Sequence, residues 1–254
     1  MEVVICKDVS QVGEVAADRV VDAIAGSQTP ILGVATGSSP MSLYEALTRR
    51  VEAGTLDLTH ALAFALDEYV GISSEHPESY LQVVRRTVIE PLRLDASRVR
   101  VPEGYAADPH AAAAEYDAAI KAAGGIDVQI LGIGANGHIG FNEPYSSFAS
   151  RTRVEVLTPR TRQDNARFFN SVDEVPTHCV TQGLGTIMES RAAVLVASGE
   201  NKAEAVKAMV EGPVSASCPG SILQFHPNVT VVVDEAAASL LRDADYFRYV
   251  AGLR

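Results

Sequence analysis

Cysteine is scarce in this chain, and positive charge is outnumbered. The 254 residues hold three cysteines, Cys6, Cys179 and Cys218, an odd count with no short spacing. That argues against a disulfide framework or a cysteine zinc site and fits a reduced compartment. Lys and Arg number 21 against 32 Asp and Glu, giving a formal net charge of −11 and a pI near 5.0. Such a field repels nucleic acid and anionic membrane surfaces, so neither is an expected partner. A small anion needs only a few cations gathered locally. No apolar run approaches the ~18 to 20 residues of a membrane span. MEVVICKDVS has an acid at position 2 and no basic segment ahead of an apolar stretch. No signal peptide is therefore expected, and the expected location is the cytoplasm. HExxH, CxxC, GxSxG and Walker A are all missing, so no catalytic metal, hydrolase elbow or P-loop is expected.

Apolar residues make up 47% of the chain, enough to bury a sizeable core. Short apolar runs at 3–6, 30–37, 61–66, 99–102, 128–134, 154–157, 192–198 and 229–234 read as strands. Amphipathic stretches at 12–26, 39–54, 79–92, 109–125 and 202–212 read as helices between them. Runs of Val, Ile, Leu and Ala without polar alternation suit strands covered on both faces. The alternation predicts a mostly parallel central sheet between helical layers, in a single domain of residues 1–254. The least regular part, 135–190, is where a mobile insertion is expected. Such sheets bind ligands beyond the carboxyl ends of their strands. TGSSP, DEYVG, GANGHIGFNEP and SGENK each follow a strand.

Leu131 to Pro144 reads LGIGANGHIGFNEP and contains G-x-G-x-x-G, the spacing of a dinucleotide-binding fingerprint. That fingerprint needs a helix opening at the glycines, so that its N-terminus faces a pyrophosphate. Gly140, Pro144 and a serine-rich tail make such a helix improbable, although Glu155 lies near the distance of a ribose-binding acid. NAD is not expected. The alternative is a tight loop that gathers Asn136, His138 and Glu143. Histidine side chains move protons near neutral pH. A structural histidine is the competing reading, and the glycine-rich loop favours the catalytic one.

Thr36-Gly37-Ser38-Ser39-Pro40 enters a helix, with Ser39 expected as N-cap and Pro40 as first helical residue. Its free amides and small side chains also suit an anion. Asp67 and Glu68 follow an apolar strand. Adjacent carboxylates in extended chain cannot both face one pocket, so one is expected at the site and the other in the scaffold. Desolvation there raises carboxylate basicity. Arg151, Arg153, Arg160, Arg162 and Arg167 form the most basic stretch, and Lys202 starts a helix where Asn201 and Glu204 fit a capping box. A phosphate needs about two such cations.

Taken together, ATGSSP, LDEYVGISSEHPESY, LGIGANGHIGFNEP, ASRTRVEVLT, TRQDNARFF and SGENKAEAVKAMVEGPV resemble the glucosamine-6-phosphate deaminase family, in order along nearly the whole chain. The related 6-phosphogluconolactonases typically read DER and GHxxSLFP at these places, where this chain has Tyr69 and Phe141-Asn142-Glu143-Pro144. The resemblance implies a Rossmann-like three-layer α/β/α sandwich with a mostly parallel sheet. It implies a cofactor-free conversion of glucosamine 6-phosphate and water to fructose 6-phosphate and ammonia. It assigns Asp67 as the base at C2 and His138, assisted by Glu143, as the group that opens the ring. Asn136 matches a position that is Asp in some members and Asn in others. Gly37, Ser38, Ser39, Arg167 and Lys202 match phosphate-binding positions, and a lid is implied at about 151–187. The resemblance leaves monomer and homo-oligomer open. A lactonase-like enzyme, another sugar-phosphate isomerase and a non-catalytic sugar-phosphate sensor remain alternatives. Some members are activated by N-acetylglucosamine 6-phosphate at a basic subunit interface. Arg153 matches one such position, while Glu155 stands where those members have Lys, and the C-terminal stretch offers no match to their C-terminal contacts. Weak or absent activation is expected.

Overall fold

In a computed structural model, residues 1–253 are described. Seven strands form the main sheet: β1 (Glu2–Cys6), β2 (Ile31–Val34), β3 (Leu62–Ala65), β5 (Val99–Arg100), β6 (Val128–Leu131), β9 (Ala192–Ala197) and β10 (Val229–Asp234). Their order is β1-β10-β9-β6-β2-β3-β5, and every pairing is parallel. Helices α1 (Val9–Ile24), α2 (Met41–Glu52), α5 (Pro109–Ala122) and α8 (Ala203–Val210) are among those that sandwich it, and α9 (Ala244–Ala251) follows the last strand. This is the mostly parallel sheet between helical layers that the alternation predicts, and the Rossmann-like three-layer α/β/α sandwich that the resemblance implies. Every residue of β6, β9 and β10 is buried, which accounts for their uninterrupted apolar runs. No described helix is long and apolar enough to cross a membrane.

The strand order fixes where a ligand can bind. From β2 the chain winds outward through β3 to β5, and from β6 it winds the other way through β9 to β10. The reversal lies between β2 and β6, which pair directly through Leu32 with Val128 and Gly33 with Gln129. Beyond the carboxyl ends of those two strands the loops diverge and leave a crevice. TGSSP leaves β2 and GANGHIG leaves β6, so the two motifs face each other across it.

Three sequence readings are corrected. DEYVG is not simply a loop after a strand. Asp67–Tyr69 is itself a strand, β4, in a separate antiparallel sheet of order β4-β8-β7 with β8 (His178–Thr181) and β7 (Arg153–Val156). β7 therefore lies outside the parallel sheet, and its partly exposed residues fit a covering strand. Ser39 does not cap α2. Pro40 holds the cap position and no side-chain cap bond forms, so the Ser39 hydroxyl is left for the crevice. The Asn201/Glu204 capping box does not form either, because Glu200–Lys202 is a 3₁₀ turn and Lys202 is the cap residue. The 79–92 helix is present, as α3 (Tyr80–Val84), a π-turn over Arg85–Ile89 and α4 (Glu90–Leu92). Ser79 caps it by accepting from the Gln82 amide at 3.3 Å.

Candidate active site

A cleft of about 250 Å³ opens at the switch point between β2 and β6. Its walls come from the loops after β2, β3, β6 and β9, from the start of α3 and from α6 (Pro159–Asn165). One end is built for an anion. Gly37, at φ +86°, turns the chain so that Ser38 and Ser39 line the cleft before α2. Arg167 reaches over and donates to the Ser38 hydroxyl at 3.2 Å. Its guanidinium lies 4.7 Å from the centre of the Phe168 ring, a stacked position that limits its freedom. Lys202 donates to the Ile133 carbonyl at 2.7 Å, and burial, followed by the nearby Arg167 charge, pulls its pKa below the usual lysine value. These two cations have no ion-pair partner among the described residues, and the nearby Asp164 is paired with Arg160, so together they suit an anion.

The remaining arginines of the basic stretch are committed elsewhere. Arg151 bridges Asp117 and Glu189. Arg153 donates to Asn142 at 2.9 Å and Ser146 at 3.0 Å and pairs with Glu155. Arg162 holds the carbonyls of Val172 and Val175. Arg160 lines the cleft but is paired with Asp164 at 3.0 Å.

Strand geometry separates Asp67 from Glu68, because successive side chains of β4 point to opposite faces. Glu68 points into the scaffold and accepts from the amides of Tyr69, Tyr80 and Leu81 at 2.8, 2.9 and 3.0 Å, which ties β4 to the start of α3. Asp67 faces the cleft, only 5% exposed. Its pKa is raised to about 8, first by burial and then by the Glu68 charge, and the Phe141 amide offsets only part of this. That amide also donates to the Thr181 hydroxyl at 3.1 Å. The result is a carboxyl basic enough to take a proton from carbon once ionised.

The glycine-rich loop after β6 presents His138. Glu143, directly behind it, is 5% exposed and fully engaged. One Glu143 oxygen accepts from Asn136 at 2.7 Å. The other accepts from the Thr158 amide at 3.1 Å and the Thr158 hydroxyl at 3.2 Å. Burial alone would raise Glu143, but His138, the Thr161 hydroxyl and the Thr158 amide outweigh it and hold it down to about 2. His138 Nδ1 lies 3.6 Å from Glu143 Oε2, within ion-pair range but too long for a hydrogen bond, and Nδ1 is buried with no bonded partner. A permanently ionised carboxylate therefore backs the ring and stabilises any positive charge it acquires.

The glycines of the fingerprint now have a local explanation. A Cβ on Gly134 would fall 2.4 Å from Cε1 and Nε2 of His138, and one on Gly132 would fall 3.0 Å from the Ser39 side chain. Gly137, at φ +84°, closes the turn by donating to the Gly134 carbonyl at 2.9 Å. No helix opens at these glycines. The next one, α6, begins at Pro159.

The structure brings Gly37, Ser38, Ser39, Asp67, His138, Arg167 and Lys202 to one cleft. Asn136 and Glu143 do not line it and reach it only through His138. Sequence reasoning missed Tyr80, Thr161 and Asn165, which do line it. Thr161 and Asn165 lie on α6, whose start is marked by Thr158-Pro159. Thr158 is the N-cap, accepting from the Thr161 amide at 3.2 Å, so a Thr-Pro start signal was available.

A family model described as glucosamine-6-phosphate isomerases/6-phosphogluconolactonase matches residues 7–232. A glucosamine-6-phosphate deaminase of Cutibacterium acnes is 55% identical over 254 residues, covering 100% of this chain and 97% of its own length. One from Streptomyces coelicolor is 55% identical over 250 residues, covering 98% and 96%. A solved structure described as a monomeric glucosamine-6-phosphate deaminase superposes with a TM-score of 0.92 at 40% identity, covering 94% of this chain and 100% of that one. A 6-phosphogluconolactonase of Leishmania guyanensis, at 21% identity and a TM-score of 0.75, shares the fold. Matched over most of its length by the family model and by relatives at 55% identity, the chain belongs to the glucosamine-6-phosphate isomerase/6-phosphogluconolactonase family.

Proposed function

We propose that this protein is a glucosamine-6-phosphate deaminase, an enzyme that converts glucosamine 6-phosphate and water to fructose 6-phosphate and ammonia. The observation that carries this reading is the pairing, in one cleft, of a buried carboxyl and a carboxylate-backed histidine with a two-cation anion site. The relatives at 55% identity carry the same name.

The chemistry follows from the placement. The phosphate binds Ser38, Ser39, Arg167 and Lys202, and this non-reacting contact positions the sugar. A closed amino sugar has no acidic C2 proton. His138 opens the ring by moving a proton between the ring oxygen and the C1 oxygen, with Glu143 stabilising its charged form and Asn136 and Thr158 fixing Glu143. The aldehyde so exposed makes the C2 hydrogen abstractable. Asp67 takes that proton and returns it to C1, while the C2 ammonium gives up a proton that ends on the C1 oxygen, leaving a hydroxymethyl group beside an iminium at C2. Water adds there and ammonia leaves. No step exchanges electrons with an outside partner, so acid–base groups such as these carry the chemistry.

In this reading the stretch between β7 and β8, within the 151–187 segment, is a lid that carries Thr161 and Arg167 over the cleft. In this reading the enzyme works in the cytoplasm, which free buried thiols and a phosphorylated substrate support. The 40%-identical relative described as monomeric makes a monomer the state to check first by light scattering. Purified protein is expected to release ammonia from glucosamine 6-phosphate. A lactonase or a plain aldose–ketose isomerase releases none, and a sensor binds without turnover.

Arg153 gives a separate prediction. Its charge is already met by Glu155 within its own chain, and its other nitrogen contacts are taken by Asn142 and Ser146. An incoming phosphate would meet the Glu155 carboxylate first. N-acetylglucosamine 6-phosphate is expected to change kcat/KM less than about twofold. Activation of tenfold or more overturns this.

A further inference from the structure

Asp67 has no counter-ion. It is buried at the cleft wall, and no ion pair joins it to any described Lys, Arg or His. The titratable groups around it are Glu68 and Tyr69 on its own strand, Tyr80 from α3, Tyr116 from α5 and Cys179 from β8. His138 shares the cleft, but its Nδ1 side is turned to Glu143. None of these supplies a permanent positive charge. The cations Arg167 and Lys202 are bound at the phosphate end, to Ser38 and to the Ile133 carbonyl. A buried carboxyl without a cation stays neutral, and burial holds this one protonated up to about pH 8. The free enzyme therefore holds its base switched off at neutral pH.

Resting on the deaminase reading, we propose that the C2 ammonium of the substrate is the missing counter-ion, and that its arrival ionises Asp67 and thereby creates the base. On binding, the Asp67 carboxyl gives its proton to solvent and its carboxylate pairs with the ammonium. The C2–H bond then breaks as an O–H bond to Asp67 forms, and the electron pair moves toward the C1 carbonyl. The same ammonium withdraws charge from C2 and makes that hydrogen more acidic. A hexose 6-phosphate with a hydroxyl at C2 has the same size and phosphate but brings no cation. It meets a protonated Asp67 and is not isomerised. The cleft thus discriminates by charge at C2.

The test uses two ligands that lack the C1 aldehyde and cannot turn over, 2-amino-2-deoxyglucitol 6-phosphate and glucitol 6-phosphate. Infrared difference spectra of the whole protein at pH 7 report the C=O band of protonated carboxyls. The amino alditol is expected to remove one such band, and the plain alditol to leave it. The amino alditol should also bind at least about tenfold tighter. Asp67→Asn should show no band change and bind the two within about threefold. A band that survives the amino alditol, a band lost with both ligands, or a tenfold preference that persists in Asp67→Asn overturns the proposal. The wild-type spectra decide it even if the variant does not fold. If wild type releases no ammonia from glucosamine 6-phosphate while the spectra behave as expected, the functional reading fails and the cation site stands. Ammonia release with an unmoved band defeats the cation site alone.

Discussion

Asp67→Asn loses ammonia release by about 10³-fold or more, and the same variant is more stable than wild type at pH 8. The first effect follows from removing the one cleft-lining carboxyl among the described residues that has no ion-pair partner, since Asp164 is paired with Arg160, Glu68 is bound to three amides and Glu143 lies behind His138. The second follows from the same burial. The folded carboxyl holds its proton to about pH 8, whereas the unfolded chain releases it near 4. A folded pKa above the unfolded one gives stability that is complete below pH 4 and is lost as pH climbs to 8. Wild type, about half ionised at pH 8, has by then lost stability on the order of 5 kcal/mol through this group, and Asn has none to lose. The melting-temperature gap between Asp67→Asn and wild type should be small at pH 5 and widen by several degrees by pH 8. Equal gaps at both pH values would mean that the site does not raise Asp67. Wild-type activity surviving in the variant would move the C2 base to another residue.

The fold was legible in the sequence because burial on both faces writes itself directly into composition. The runs at 128–134, 192–198 and 229–234 contain strands with no exposed residue, and no other arrangement suits them. The small sheet was not legible for the opposite reason. β4 is three residues long and polar at two of them, and it exists because β8 pairs with it from more than a hundred residues away. Capping was misread at Ser39 and Asn201 because local propensity competes with a ligand site. A serine freed from its cap is what an anion cradle needs. At the site, most residues that touch the cleft through a motif were found, while Tyr80 at the start of α3 and Thr161 and Asn165 on α6 were missed. The split between Asp67 and Glu68 followed from strand period alone. Which of the two faces the cleft did not, since it depends on the amides of Tyr69 and of Tyr80 and Leu81 at the start of α3, which claim Glu68.

Gly134→Ala is expected to reduce kcat by about a hundredfold while leaving the protein folded and able to bind inorganic phosphate. The new methyl would lie 2.4 Å from the His138 ring, well inside van der Waals contact, so the ring must turn or shift. Once moved, it loses both its place in the cleft and its 3.6 Å approach to Glu143. The three atoms nearest that methyl all belong to the His138 ring rather than to the phosphate end. Gly132→Ala makes the contrasting case. Its methyl meets the Ser39 side chain at 3.0 Å, at the anion cradle, so KM should rise several-fold with kcat much less affected. Two glycines one residue apart would then damage different halves of catalysis. A pyrophosphate-binding loop gives another pattern. There both methyls would obstruct the same phosphate contact, and nicotinamide dinucleotides would protect the wild-type fold against heat. Equal kcat and KM changes in the two variants, or stabilisation by NAD, would return the G-x-G-x-x-G to its usual meaning. A Cβ on Gly134 meets His138 and one on Gly132 meets Ser39, so the spacing reflects how the loop makes room for His138, the proposed ring opener, and Ser39, a proposed phosphate ligand, rather than the requirements of a dinucleotide.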